Sequence, residues 1–295
     1  MGLKQALESG KFAVSCEFGP VKGTDTHEIK ENIEILKSKV DAANVTDQQS
    51  SVMRLSGLVT ASLCVQGGLE PIFQMTCRDR NRIALQSDLL GAWVMGIKNV
   101  LALTGDLPSL GDTPQAKPVF DLDSVTLLQT IAALNGGKDL SGNELKGVPA
   151  FFPGAVVKVE NNTEASYELQ IAKLQKKIAA GAKFIQTQAC YDPKSFEKLM
   201  RRIDKFKVKI PLMVGVIPLK NAGSAKYMNA NVAGIHVPDE LIDIMAKASK
   251  EDREKVGIEM AANLIKQMKP MCQGVHIMAV AWEKKVPEIM ALAGL

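Results

Sequence analysis

Histidine is scarce: the chain holds His27, His236 and His276 and no others. None stands in H-x-x-x-H or another close ligand spacing, so no His-built metal centre is expected. Cysteine offers no alternative. Cys16, Cys64, Cys77, Cys190 and Cys272 are an odd number at wide spacings, with no C-x-x-C. That argues against a disulfide framework or a cysteine-rich zinc site and predicts reduced thiols in a cytoplasmic protein. Aromatic residues are only 5% of the chain and the net charge is only +4, too mild a set of stacking platforms and cations to suggest nucleic acid. No apolar run approaches the roughly 18 residues of a membrane span. The opening MGLKQALESGK lacks the apolar stretch of a signal peptide, and Ala6 breaks the myristoylation pattern. G-x-G-x-x-G, G-x-x-x-x-G-K-[ST] and G-x-S-x-G are all missing, which removes the common nucleotide loops and the nucleophile elbow.

What is present is regular. Hydrophobic residues at 46% and charged residues at 23% suit a globular enzyme-sized chain and exclude collagen, coiled coil and disorder. Short runs rich in strand formers lie at 12–19, 42–47, 70–77, 99–106, 148–157, 184–190, 210–218 and 274–281. Between them fall helical patterns. In 27–38, Ile29, Ile33 and Leu36 recur at helical spacing. The segment 121–134 has Asp121 or Asp123 as its N-cap, 164–182 closes on Gly181, and 192–206 opens with Asp192 and Pro193. Further helical stretches fill 238–268 and end the chain. Unbroken strand–helix alternation implies parallel strands with helical crossovers. Eight such units in 295 residues predict a (β/α)8 barrel, a single domain over 1–295; a doubly wound open sheet is the alternative. The polar stretch NGGKDLSGNELKG at 135–147 reads as a surface loop.

Strand parity then locates chemistry, because alternate side chains face the helices and the barrel axis. In 12–18, Phe12, Val14, Cys16 and Phe18 are the helix-facing set, so Glu17 points to the axis. Asn44 and Thr46 share a face, as do Gln74 and Thr76, and Gln186 and Gln188. In the fourth strand Leu101 and Leu103 oppose Ala102, Thr104 and Asp106, and the second set is read as axial. Polar side chains therefore gather near the C-terminal ends of five strands, where barrel active sites are built. A carboxyl group at Glu17, between Cys16 and Phe18, is expected to be desolvated, which favours its protonated form and the role of general acid. Asp106 stands within T-G-D-L-P at 104–108, where Gly105 allows close backbone approach and Pro108 fixes the exit. His276 is read as a packed core residue. Lys173, Lys176 and Lys177 cluster on one helix, either as a solvated basic face or as a phosphate anchor.

CEFGP at 16–20, NVTDQ at 44–48, QMTC at 74–77, LALTGDLP at 101–108, AGAKFIQTQACYD at 181–192 and NVAGIHVPDELI at 231–242 follow one another as in methylenetetrahydrofolate reductases. The resemblance runs from Phe12 to the end. It implies a flavin-bearing barrel that reduces 5,10-methylenetetrahydrofolate to 5-methyltetrahydrofolate, with the flavin, FAD or alternatively FMN, as hydride donor. It implies Glu17 as general acid and Asp106 as a group beside flavin and pterin. Thr46, Gln74, Thr104, Gly105, Asp106, Phe152, Lys176 and Lys177 fall at flavin-serving positions, and Gln188 at a substrate contact. It further implies electrons from NAD(P)H or from a partner subunit, and an oligomeric assembly. This chain departs from many relatives at Gln74, where they carry His, at Thr104, where they carry Arg, and at Phe152, where they often carry Tyr. Ala281 and Trp282 stand where relatives place an Arg near the folate tail. Those departures keep a second reading open: a folate-binding barrel without redox function, acting as a methyl-transfer or partner-binding subunit.

Overall fold

The computed structural model describes residues 1–160, 163–232 and 234–295; Ala233, within the 231–242 stretch, lies outside them. The expected strands form as β1 (Ala13–Phe18), β2 (Ala42–Val45), β3 (Pro71–Thr76), β4 (Asn99–Leu103), β5 (Phe152–Val157), β6 (Phe184–Ala189), β7 (Leu212–Val216) and β8 (Gly274–Met278). They pair in chain order, all parallel, and β8 closes on β1. The open-sheet alternative is thereby set aside in favour of the (β/α)8 barrel.

The crossovers are α2 (His27–Leu36), α3 (Gly57–Gln66), α4 (Arg82–Val94), α5 (Ser124–Asn135), α6 (Glu164–Ala179) and α7 (Pro193–Ile203). Between β7 and β8 come α8 (Ala222–Asn231), α9 (Asp239–Lys247) and α10 (Arg253–Met268), and α11 (Val286–Ala293) follows β8. Capping fixes several starts. Asp123, not Asp121, caps α5 by accepting from the Val125 and Thr126 N–H groups, while Asp121 pairs with Arg82. Asp192 caps α7 with Pro193 at its first position.

A helix that the strand pattern did not foretell, α1 (Leu3–Glu8), closes the N-terminal end of the barrel. Its Leu3, Ala6 and Leu7 pack on Ala13, Ala42, Ile72, Leu101, Phe152, Phe184 and Met213, the lowest axial layer. The Leu3 N–H donates to Glu70 Oε1 at 3.0 Å, tying the helix to the strand ends. Phe152 and Phe184 stack in this floor with centroids 5.3 Å apart. Gly154 makes the stack possible, since a Cβ there would run into the Phe184 ring. The larger core lies outside the strands, where Val14, Cys16 and Phe18 meet Ile29, Ile33 and Leu36. The floor is thus closed by apolar side chains, and the cavity described below opens at the opposite rim.

Candidate active site

Above the floor the barrel axis turns polar. Ser15, Asn44, Gln186 and His276 are all buried there. Asn44 and Gln186 exchange two amide hydrogen bonds, Nδ2 to Oε1 at 2.8 Å and Nε2 to Oδ1 at 3.0 Å. One layer higher stands Glu17, 9% exposed and on the axial face that parity assigns. Gln74 Nε2 donates to its Oε2 at 2.7 Å, and Gln49 Nε2 donates to Oε1 at 3.3 Å. His276 Nε2 stands 3.4 Å from the same Oε2.

Glu17 and Gln74 border a cavity of about 290 Å³ that opens at the rim. Leu101, Leu103, Val156 and Met278 give it an apolar wall, and Asp106, Gln186 and Gln188 join the polar side. Thus Glu17, Gln74, Gly105, Asp106 and Gln188 come together. Asp106 arrives by a different route from the one parity suggests. In β4 it is Leu101 and Leu103 that face the axis, whereas Ala102 packs in the outer core and Thr104 accepts from the Ser124 N–H at 3.2 Å. The strand ends at Leu103, so alternation no longer governs the residues beyond it. Gly105 takes φ +95° and swings Asp106 back over the rim.

The remaining predicted residues lie elsewhere. Thr46 is 1% exposed and outside the cavity lining, with its Oγ1 unpartnered near Gly19. Phe152 belongs to the floor, two layers below the rim. Thr104 lines a groove on the outer side of β4, with Phe120 and Asp123. Lys176 is exposed on α6. Lys177 is buried and its Nζ donates to the Val156 carbonyl at 2.7 Å. Burial, with repulsion from Lys173, lowers the Lys177 pKa to about 8, against the opposing pull of Asp123.

Three site features escaped the sequence reading. The first is His276, which is buried as expected but lines the cavity rather than serving as inert packing. The second is Asp47, whose Oδ2 accepts from the Thr76 N–H at 2.8 Å and Oγ1 at 2.9 Å and pairs with Arg80. Burial opposes the Arg80 charge, but Asp47 and Asp88 outweigh it and raise its pKa. The third is Arg78, 2% exposed, whose guanidinium donates to Ser51 Oγ and to the Gln48 carbonyl. It holds a loop in which Gln48, Ser50 and Ser51 all adopt positive φ. Val280 (φ 50°) and Ala281 (φ 63°) do the same on the other side of Glu17. Such conformations cost about 1–2 kcal/mol each in non-glycine residues, so backbone strain is concentrated around this carboxylate. Only the R-D-R sequence at 78–80 hinted at these anchors.

Chemically, this is a barrel whose open rim presents the axial Glu17 carboxyl group, amide side chains and an apolar wall, a lining suited to a flat, polar-edged small molecule. The comparisons narrow the class. The family model described as Methylenetetrahydrofolate reductase matches residues 2–294, and the chain belongs to that family. It is 27% identical to the 5,10-methylenetetrahydrofolate reductase of Pectobacterium carotovorum subsp. carotovorum, over 90% of this chain and 84% of that protein. To the corresponding Escherichia coli protein it is 26% identical, over 90% and 85%. It is 24% identical to a probable NADPH methylenetetrahydrofolate reductase of Caenorhabditis elegans, and there it spans only 36% of the relative's length. Among solved structures, an uncharacterized protein from Clostridium thermocellum that binds two copies of 5-methyl-5,6,7,8-tetrahydrofolic acid shares the fold, with TM-score 0.66 and 15% identity over 99% of this chain and 97% of that one.

The family is generally flavin-dependent. The rim residues suit the ring portion of such a cofactor: an apolar wall for its faces and the amides of Gln74 and Gln188 for its polar edge. At 290 Å³ the cavity lies near the lower end for small-molecule sites, roughly 300–1,000 Å³, and accepts one ring system at its depth. A phosphate tail needs cations, and α6 carries Lys173, Lys176 and Lys177, the last with one of its three Nζ hydrogens on the Val156 carbonyl.

Proposed function

We propose that this chain reduces 5,10-methylenetetrahydrofolate to 5-methyltetrahydrofolate, with Glu17 as the general acid and Asp106 beside the reacting rings. Bound flavin, FAD or FMN, supplies the hydride. Leu103, Val156 and Gln74 would hold its ring, and the Lys173, Lys176 and Lys177 cluster its phosphate end. Gln188 orients the pterin. Electrons come from NAD(P)H or from a partner subunit, in a cytoplasmic, oligomeric enzyme.

The observation that carries this reading is the setting of Glu17: a nearly buried carboxyl group on the axial face, hydrogen-bonded through both oxygens and bordering the open cavity. Opening the five-membered ring of the substrate to an iminium ion requires a proton at the departing nitrogen. A carboxylic acid within reach supplies it and becomes a carboxylate. The Gln74 and Gln49 amides then stabilise that carboxylate, which lowers the barrier because the charge develops against dipoles already in place. The solved neighbour's 5-methyltetrahydrofolic acid agrees with a folate ligand for this fold.

The test is a Glu17→Gln variant reduced anaerobically and mixed with methylenetetrahydrofolate. The variant should keep its flavin spectrum and reoxidise at least about a hundredfold more slowly, the usual weight of general acid catalysis. Reoxidation at the parent rate would remove Glu17 from the reaction. A second reading, a folate-binding barrel without redox function, draws on Phe152 in the floor and Thr46 outside the cavity lining. It predicts a colourless protein that binds tetrahydrofolates, and a visible spectrum decides between the two.

A further inference from the structure

Behind Glu17 runs a chain of buried polar groups that the proton step above leaves without a role. Gln186 Nε2 has two hydrogens. One goes to Asn44 Oδ1 at 3.0 Å and the other to Ser15 Oγ at 3.2 Å. Gln186 Oε1 in turn accepts from Asn44 Nδ2 at 2.8 Å. Ser15 Oγ also contacts His276 Nδ1 at 3.0 Å. A hydroxyl has a single hydrogen. Its oxygen could accept from both Gln186 and the ring, but among the described contacts of Ser15 Oγ only the ring nitrogen can take the hydroxyl hydrogen, which makes Nδ1 the acceptor. A hydrogen on Nδ1 would point at the one Ser15 already aims there. The ring proton therefore sits on Nε2, the nitrogen that faces Glu17 Oε2 at 3.4 Å. Register supports this order, since β1 and β8 pair Ser15 with His276 and Glu17 with Met278.

We propose that His276 is a positioning residue for Glu17: Ser15 and the Asn44–Gln186 amide pair fix its ring as the Nε2–H tautomer, which offers that hydrogen to the carboxylate as Glu17 discharges its proton. The present 3.4 Å separation closes to a hydrogen bond when negative charge appears on Oε2, as catalytic contacts commonly tighten once the site is filled. Orientation of an imidazole through its second nitrogen is a general device, and here a hydroxyl backed by two amides takes the orienting role. All four groups are buried, which strengthens these bonds relative to exposed ones. The tautomer stands on the hydrogen-bond network alone; its consequence for turnover rests on the role of Glu17 proposed above.

Two measurements separate these layers. In protein labelled with 15N-histidine, with the His276 signals assigned by their loss in His276→Gln, the ring should show a protonated Nε2 and a bare Nδ1 at neutral pH. Ser15→Ala should abolish that preference. A dominant Nδ1–H tautomer, or no response to Ser15→Ala, overturns the proposal whether or not the chain reduces folate. In the folate half-reaction at saturating substrate, His276→Phe should be slower by roughly tenfold or more, the worth of one hydrogen bond to a charged group. His276→Gln, whose amide N–H reaches the same place as Nε2–H, should restore most of the rate without a change in KM. Equal rates for His276→Phe and the parent would leave His276 as packing, while absence of the half-reaction in the parent would count against the Glu17 assignment only.

Discussion

Lys177 gives the sharpest quantitative test, because its burial has a sign and a size. The side chain lies under the C-terminal end of β5, 8% exposed, with Nζ on the Val156 carbonyl. Burial first, and Lys173 second, lower its pKa from 10.5 to about 8. The folded value thus lies below the unfolded one. Below about pH 8 both states keep the proton, and the fold bears the whole cost of the buried charge. Between about pH 8 and 10.5 the folded state loses its proton first, the unfolded state binds more protons, and stability rises with pH. The gap between 10.5 and about 8, at about 1.36 kcal/mol per pH unit, amounts to about 3 kcal/mol. Urea unfolding of the parent and of Lys177→Met, followed from pH 7 to 10.5, reads this directly. The parent should gain about 3 kcal/mol on the variant across that range. Loss of the bond to Val156 costs the variant about 1 kcal/mol at every pH and leaves the slope untouched. Groups that titrate in both proteins cancel in the difference. Parallel profiles would refute the reasoning. The same curve checks the flavin-phosphate role that resemblance assigns to Lys177: a bound phosphate ester beside Nζ would favour the charged form, so saturating FMN would flatten the parent's profile.

Gly105→Ala places a Cβ at φ +95°, 3.1 Å from the Arg78 and Thr76 Cβ atoms. It should destabilise the fold by about 1–2 kcal/mol in urea titration and slow the folate half-reaction by displacing Asp106; an unchanged midpoint would show that the turn relaxes freely. All five cysteines are buried, and burial raises the Cys64, Cys77 and Cys190 thiols to about 12. Native protein should therefore react negligibly with a thiol reagent at pH 8 and release the full five equivalents in denaturant, and fast reaction of any thiol in the native state would contradict the packing.

The barrel was legible because each strand is short, apolar on its outer face and separated from the next by helical spacing, as Val14, Cys16 and Phe18 illustrate against Ile29, Ile33 and Leu36. Parity also put Glu17, Asn44, Gln74, Gln186 and Gln188 on the axis, since a period of two holds as long as the strand does. In β4 the set read as axial was the wrong one: Leu101 and Leu103 point inward and Ala102 and Thr104 outward, and Asp106 reaches the rim only through the glycine turn that follows the strand. α3 left no amphipathic trace, because GLVTASLCVQ is apolar nearly all round. The Leu3, Ala6 and Leu7 spacing of α1 was readable, but nothing in six residues says that they plug a barrel.

His276 shows why a site is harder to read than a fold. Its parity in β8 is the same as that of Met278, so its axial direction follows from the sequence once the strand is known. What the sequence withholds is register across the seam, because β1 and β8 lie at opposite ends of the chain and only closure sets Ser15 beside His276. A one-residue slip at that seam would leave the barrel shape intact and turn the histidine away from Glu17. The buried Asn44–Gln186–Ser15–His276 run therefore bears on register as well as on chemistry: a slip would strand several amide and imidazole groups without partners, at about 1–3 kcal/mol each. The same hydrogen bonds that orient the ring thus select the closure that brings it to the acid, and the polar layer ties folding specificity to the geometry of the rim.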